Sequence, residues 1–585
     1  MSPRAKASPY QTSFRTHSCG ELTAADVGRE VTVCGAIDTR AEARLYDLRD
    51  TYGTTRVRLP AGLGDEELKS REMTEPAMES VIKVTGTVTA RETADKSKPS
   101  GEIFVLGKAV EFVSFASTPL IFDPKDPQLP DAERIRHRYM YLRAPQVHEN
   151  FRFRTRVRAE LRHFLEAARF EEIETPLLAT RWTPDAKESY LAVRNRREIF
   201  ALPGSRAIHG ALLMAGGFDR VFEIARRFRR IPSYDAFQQP EYDVLDGSVA
   251  YVDEENLFKI VDELLAHVWS AMLGPRERFA VAEISADDAL KKYGTLAPDL
   301  RFGLEIHDVT AQAGAAKVHD LRELRFNGGA LRAVRAAGGE EKLVEKDAEL
   351  VKLTGKASLH WLSFGPEGKP KESGTAGFDD ALAAEILHAV HAEKGDRVIV
   401  AMGPMQAAAQ LAGQVRTHVA RKLKPEGRKH ALVRVTRLPY YRYDAAKGDL
   451  SLTGDPLAMP VESELDGDPK ALHGMGFHLV LDGVRIGSGA VKNHDLHLQN
   501  KLFETLRLTT TEIDQRFGTL LKALRFGVPP HGRFAIGVDR LAALLKGLTN
   551  IHEMIPLPKA PDGLDPLTRS PWPIENHLVR GLFAL

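Results

Sequence analysis

Between Phe14 and Phe115 apolar and polar residues alternate in five short runs, REVTVCGAID, ARLYDLRD, TTRVRLP, VIKVTGTVTA and EIFVLGKAVEFV, separated by Gly, Asp or Pro turns. A period of two puts one side of each run in a core and the other in water, the pattern of a strand. Five short strands in about a hundred residues predict a small barrel of the oligonucleotide-binding type, or a five-stranded module without a ligand. A proline-rich polar stretch, STPLIFDPKDPQLPDAE, follows, and then the period changes. Val157, Leu161, Phe164, Leu165 and Ala168 recur at three and four residues, which predicts a helix with one apolar stripe. EEIETPLL reads as a strand, and Pro176, lacking an N–H, places it at an edge or an interface. Asp253 to Leu273 repeats the helical period. From about Ala282 to Leu423 the elements turn mixed and rich in Ala and Gly, which predicts an inserted domain before strands resume at ALVRVTRL.

Two stretches combine such elements with charge. RRFRRIPSYDAFQQPEYDVLD, Arg226 to Asp246, reads as strand, polar turn and strand, with four arginines before the turn. In HGRFAIGVDRLAALLKGL a strand from Phe534 to Val538 runs into a helix carrying Leu541, Leu544, Leu545 and Leu548. Arg540 then falls in the first turn, where the helix dipole disfavours a cation by a few tenths of a kcal/mol. An anionic ligand would resolve that conflict, and so would a neighbouring carboxylate.

Composition narrows the field. At 585 residues the chain has room for about three or four domains. With 81 basic against 80 acidic residues there is no global pull toward nucleic acid, so a polyanion would need a local basic surface. Two cysteines, Cys19 and Cys34, cannot make a four-cysteine zinc site and fit a reducing cytosol. The 20 histidines show no metal spacing, so neither zinc nor another metal is expected to use them. The N-terminus lacks the apolar core of a secretory signal, and no apolar run reaches the length of a membrane span. A cytoplasmic multidomain protein is the expectation.

The order of barrel, ARFEEIETPLL, FRRIPSYDAFQQPEYDVLD and AIGVDRLAALLKG resembles the three motifs of the class II aminoacyl-tRNA synthetases. FRTHSCGELTAADVGREVTVCG, RIRHRYMYLRAP, RFGLEIHDVT, DGVRIGSGAVKNHD and GVPPHGRFAIGVDRL bring the resemblance to the bacterial-type aspartyl-tRNA synthetases, over nearly the whole chain. It implies an α+β fold: a catalytic sheet of six or seven antiparallel strands, an N-terminal OB barrel that reads an anticodon, and an inserted α+β domain. The expected limits are a tail over 1–14, the barrel over 15–116, a hinge over 117–150, catalytic parts over 151–284 and 424–585, and the insertion over 285–423. A homodimer through motif 1 around Pro176, ATP, an aminoacyl adenylate and a tRNA or other RNA are the implied partners.

Several matching positions keep the family's residue. Arg229 matches the motif 2 arginine on the α-phosphate and Arg540 the motif 3 arginine on the γ-phosphate side, the two catalytic residues implied. Glu241 and Tyr242 fall in the adenylate region, Tyr242 where the family has Phe. Ser205, Asp246 and Lys492 are the implied amino-acid contacts, Asp246 on the α-amino group and Lys492 where the family uses Arg. In the barrel, Arg56, Arg58 and Arg91 are candidates for a phosphate backbone, Arg56 standing where the family has an anticodon-reading Gln.

Other positions depart from the family. Ile231 replaces an acid of motif 2; Ala207 and Gly210 replace Gln and Lys of the side-chain pocket; Gly454 and Asp455 replace paired histidines. Arg533 stands where the family has Gly against adenine, and Thr183 to Ser189 replaces the loop TPEGARD. Above all, His478 and Arg485 replace the two carboxylates that hold magnesium, so the local charge goes from −2 to +1 with His neutral. At about 4 Å and an effective dielectric of about 20, each unit charge on an ion is worth about 4 kcal/mol, so Mg2+ should be expelled from that place. Two functions follow from different classes: an aspartate–tRNA ligase family enzyme that charges a tRNA with ATP through an aminoacyl adenylate, its amino acid left open between aspartate and another, or a synthetase-like paralogue that binds nucleotide, adenylate or RNA without adenylation.

Overall fold

The computed structural model describes residues 8–117, 120–179, 189–193, 198–312, 328–343, 347–365, 368–374, 378–444, 449–506 and 508–572. Met1–Glu149 and Asn150–Leu585 are two compact units. In the first, strands Glu30–Glu42, Leu45–Arg49, Thr54–Arg58, Ile103–Ser114 and Val81–Ala90 close a barrel in that spatial order. Inward positions of the five alternating runs, among them Val31, Val33, Leu48, Val57, Ile82, Val84 and Val105, fill its core. Each such side chain, taken fully from water, stabilises by roughly 1.5–3 kcal/mol.

The second unit is organised by an eight-stranded sheet with the order Val281–Ser285, Leu432–Thr436, Gly476–Leu481, Val484–Lys492, His531–Gly537, Glu241–Ala250, Arg220–Phe228 and Glu171–Glu172. The six inner strands pair antiparallel. The antiparallel part thus has six strands, within the six or seven expected, and one further strand pairs parallel at each edge. A parallel pair needs a long crossover, and the chain between Ser285 and Leu432 supplies one. EEIETPLL is an edge strand, as Pro176 demands, but only Glu171 and Glu172 belong to it. By Thr175 the backbone N–H has left the ladder for the Glu223 carboxylate, at 2.8 Å.

Helices Pro145–Ala167 and Glu254–Leu273 cover one face of this sheet. Val157, Leu161 and Leu165 of the first and Leu257, Val261, Leu264 and Val268 of the second pack with Phe222, Leu245, Phe534 and Ile536 of the strands. Phe164 and Ala168 reach the same core from its margin. Asp253 caps the second helix through the Asn256 N–H, and Gly274, with φ at +94°, ends it. Gly247 must be glycine because a Cβ there would lie 2.3 Å from the Phe534 ring.

Between 306 and 404 the chain builds a second sheet, antiparallel, with the order Ile306–Asp308, Gly329–Ala336, Arg397–Pro404, Ser358–Phe364 and Pro370–Gly374. Helices Asp380–Ala389 and Met405–Leu423 pack on it. Among the described residues no helix is long and apolar enough to cross a membrane.

Candidate functional site

The strand Glu241–Ala250 is buried on both faces, and its period of two sorts the residues. Leu245 and Val249 enter the helix-covered core, while Tyr242, Val244 and Asp246 line a cavity of about 500 Å³ on the other side. The neighbouring strand does the same with Phe534 and Ile536 inward and Arg533, Ala535 and Gly537 on the cavity. The Arg220–Phe228 strand contributes Arg227, and the helix Val538–Leu545 contributes Arg540. His478 and Arg485 come from the two strands beyond, where a bulge interrupts the pairing after Leu479.

Most of the expected site residues meet here. Arg229, Tyr242, Asp246, Ser205, Ala207, Ile231, Gly454, Asp455, His478, Arg485, Arg533 and Arg540 all line the cavity. Three do not. Glu241 sits outside it, near Arg226 at 3.5 Å and Lys559 at 3.7 Å. Lys492 is buried behind Asp455 and ion-paired to it. Gly210 faces Ser248, whose hydroxyl oxygen would lie 2.6 Å from any Cβ at that position. Of the Thr183–Ser189 loop, 183–188 lie outside the described residues.

One end of the cavity is a set of internal ion pairs. Arg533, which the resemblance sets against adenine, donates to both carboxylate oxygens of Asp246, at 2.9 and 2.5 Å. Ala535 is the direct cross-strand partner of Asp246, which makes Arg533 its diagonal neighbour on the same face, within reach of a long side chain. Burial disfavours the charge on Arg533, but Asp246 outweighs it and holds the guanidinium above its ordinary range. Asp455 is likewise held below the usual carboxylate range: burial would raise it, and Lys492 and Arg533 overcome that. Arg206 and Arg227, each 1% exposed, share Glu223, and Arg206 also donates to the Asp246 carbonyl at 3.2 Å. Burial lowers the pKa of both arginines.

Neither Arg206 nor the role of Arg227 was evident in the sequence. The four-arginine run in fact divides: Arg226 binds Asp243 at 2.8 Å, Arg227 turns inward to Glu223, Arg229 faces the cavity, and Arg230 is exposed.

The other end is positive and differently held. Arg540 donates to the carbonyls of Phe237 and Arg485, at 2.7 and 2.8 Å. Arg485 donates to His478 Nε2 at 3.3 Å. Burial, and then the charges of Arg540 and Arg229, lower the pKa of Arg485; burial and Arg229 do the same to Arg540. His478 is pushed down to about 3 by burial and by Arg485, so it is neutral. Since Nε2 accepts from Arg485, the proton is on Nδ1, which is buried without a hydrogen-bond partner. A divalent cation does not fit these residues. The one imidazole lone pair is engaged and the other side chain is a cation.

The barrel residues are more ordinary. Arg56 is bound to Asp47 at 2.7 and 3.1 Å, a carboxylate held down at about 2 despite burial by Arg56 and Lys98, so Arg56 is already matched. Arg91 donates to the Gly101 carbonyl at 2.9 Å, and Arg58 is exposed beside Phe104. Elsewhere, the expectation of no metal grouping among histidines overlooked Glu160, His163 and His267, whose ligand atoms lie within 4.8 Å of one another. Glu160 and His163 are one helical turn apart; His267 comes from the facing helix, which no local spacing could reveal.

Known proteins place the chain. The family model described as tRNA synthetases class II (D, K and N) matches residues 130–561. An aspartate–tRNA(Asp/Asn) ligase of Moorella thermoacetica is 33% identical, covering 97% of this chain and 96% of its own. An aspartate–tRNA ligase of Clostridium perfringens is 30% identical over the same shares, 97% and 96%. Among solved structures, the asparaginyl-tRNA synthetase of Pyrococcus horikoshii, in complex with asparaginyl-adenylate, has a TM-score of 0.59 at 15% identity, covering 93% of this chain and 98% of its own. The aspartyl-tRNA synthetase of Entamoeba histolytica has a TM-score of 0.56 at 15% identity, covering 94% and 93%. With the second and third motifs on the walls of the cavity, the chain belongs to the class II tRNA synthetases of the D, K and N group, aspartyl type.

Proposed function

We propose that this protein binds the phosphate chain of an adenine nucleotide in the cavity without a divalent cation, and that it does not form aspartyl adenylate. The observation that carries the proposal is the convergence of Arg229, Arg485 and Arg540 on one cavity, with Arg485 and Arg540 donating, among the described residues, to neutral acceptors. Like charges gathered in a partly dry site repel one another, and a polyphosphate of opposite sign removes that cost. Arg485 then takes over the neutralising task that the resemblance gives to a metal on a nucleotide. Calorimetry with ATP and ADP in EDTA and in Mg2+ tests this. Binding in EDTA at least as tight as in Mg2+ is expected; binding only with Mg2+, or none at all, would refute it.

A second reading keeps ATP-dependent charging of a tRNA, as named for the Moorella and Clostridium relatives. What favours it is that Arg229, Asp246 and Arg540 remain together in the cavity. For either reading the chain pairs as a homodimer along its motif 1 edge, where Leu177 and Leu178 are 42% and 55% exposed. RNA would meet the barrel chiefly at Arg58, since Arg56 is matched internally.

A further inference from the structure

We infer that Arg533 is a built-in surrogate for the α-ammonium of an amino acid, which sets the cavity against α-amino acids and their adenylates and in favour of nucleotide ligands without an amine. This rests on the nucleotide reading above and names the ligand class of the same site.

Four carboxylates line the cavity among the described residues, and each is already held by a cation of this chain. Asp246, 1% exposed, takes both of its guanidinium bonds from Arg533. Asp455 is paired to Lys492. Asp243 is bound by Arg154 at 2.6 Å and Arg226 at 2.8 Å, as well as by Arg158. Asp539 is bound by Arg154 at 2.7 Å and by the Asp243 N–H at 3.0 Å. A fixed fork on both oxygens of a carboxylate satisfies its geometry as well as its charge. Among the described residues an incoming ammonium would find no acid of the cavity left unpaired, and around Asp246 it would face Arg533, Arg206 and Arg227.

Arg533 reaches this place because of the sheet. It stands opposite Ala490 on one neighbouring strand and Ser248 on the other, two small residues that leave room for a long side chain across the face. Its guanidinium is delivered to Asp246 by register, with no ligand required. A pocket built to match a polar group rejects a partner that leaves that match unmade, and here the match is made internally.

The test uses two nonhydrolysable adenylate analogues that differ only in the amine, aspartyl-sulfamoyl adenosine and succinyl-sulfamoyl adenosine. Their affinities are measured by calorimetry in EDTA on the wild type, R533G and R533Q, beside ADP as a control and a melting curve for each protein. The wild type should favour the succinyl compound by about tenfold or more. R533G, which frees Asp246, should favour the aspartyl compound by a similar factor. R533Q keeps bulk without charge and should bring the ratio near one, which keeps the question answerable where R533G does not fold. A wild type that binds the aspartyl compound equally or better, or a ratio that neither variant moves, overturns the surrogate. If ADP binds while the ratio fails, only the surrogate falls; if ADP and both analogues fail to bind the wild type, the nucleotide reading falls with it.

Discussion

At the end of the cavity around Asp246 every cation is met by an acid of the chain itself: Arg533 by Asp246, Lys492 by Asp455, and Arg206 and Arg227 by Glu223. At the other end Arg485 and Arg540 donate to an imidazole and to backbone carbonyls, and beside burial Arg229 lowers the pKa of both, as Arg540 does that of Arg485. Both ends are rich in arginine, but the four cations around Asp246 are tied to three buried or half-buried acids, whereas among the described residues Arg485 and Arg540 hold no acid in hydrogen-bond contact and Arg485 is exposed. Charge that a fold neutralises internally acts as structure; charge that it leaves in excess acts as a binding site. The arrangement that the resemblance implies has the opposite distribution, with acids for an amino group and for metal; here Asp246 is paired to Arg533, and His478 and Arg485 stand at the other two positions.

Substitutions should separate the two ends, the largest effect falling on the paired one. Glu223→Gln leaves Arg206 and Arg227 buried without their acid and should cost about 3–5 kcal/mol in chemical denaturation. An unchanged midpoint would break the contrast. Arg485→Ala should weaken ADP binding about ten- to a hundredfold, the value of a charged hydrogen bond of roughly 1.5–3 kcal/mol, while the melting temperature holds or rises because a like charge has gone. Raising salt from about 0.05 to about 0.5 M should weaken that binding several-fold in titrations, since phosphate attraction is screened, and should scarcely move the stability given by the buried pairs.

The smallest effect is on pH. The His478 pKa falls from 6.5 to about 3 on folding, so between those values the unfolded chain binds a proton that the folded chain refuses. Its contribution is therefore fully present above about pH 6.5 and is lost as pH falls through that window. His478→Gln should flatten the decline of melting temperature between about pH 7 and pH 5.

Much of this was legible from sequence. Alternation in VIKVTGTVTA and its companions gave the barrel, because a half-buried strand leaves a local period, and Val157, Leu161 and Leu165 gave the helix for the same reason. Motif order gave the cavity wall, and the opposed charges of His478 and Arg485 told against a metal. Pairings made across the sheet left no local mark. Arg533 and Asp246 are 287 positions apart and meet only through strand register, so resemblance alone assigned Arg533 to adenine. Arg206 sits in an unremarkable GSRAI run, and Lys492 matches a family contact by position while its ammonium is spent on Asp455. The short extent of EEIETPLL was also hidden, because the competitor for its backbone was the distant side chain of Glu223.

The central claim is that this cavity has exchanged metal-assisted adenylate formation for cation-independent nucleotide binding. ATP–pyrophosphate exchange by the purified protein in Mg2+, run with aspartate and with each other amino acid, measures that chemistry directly. No amino-acid-dependent exchange is predicted; robust, aspartate-dependent exchange would contradict it.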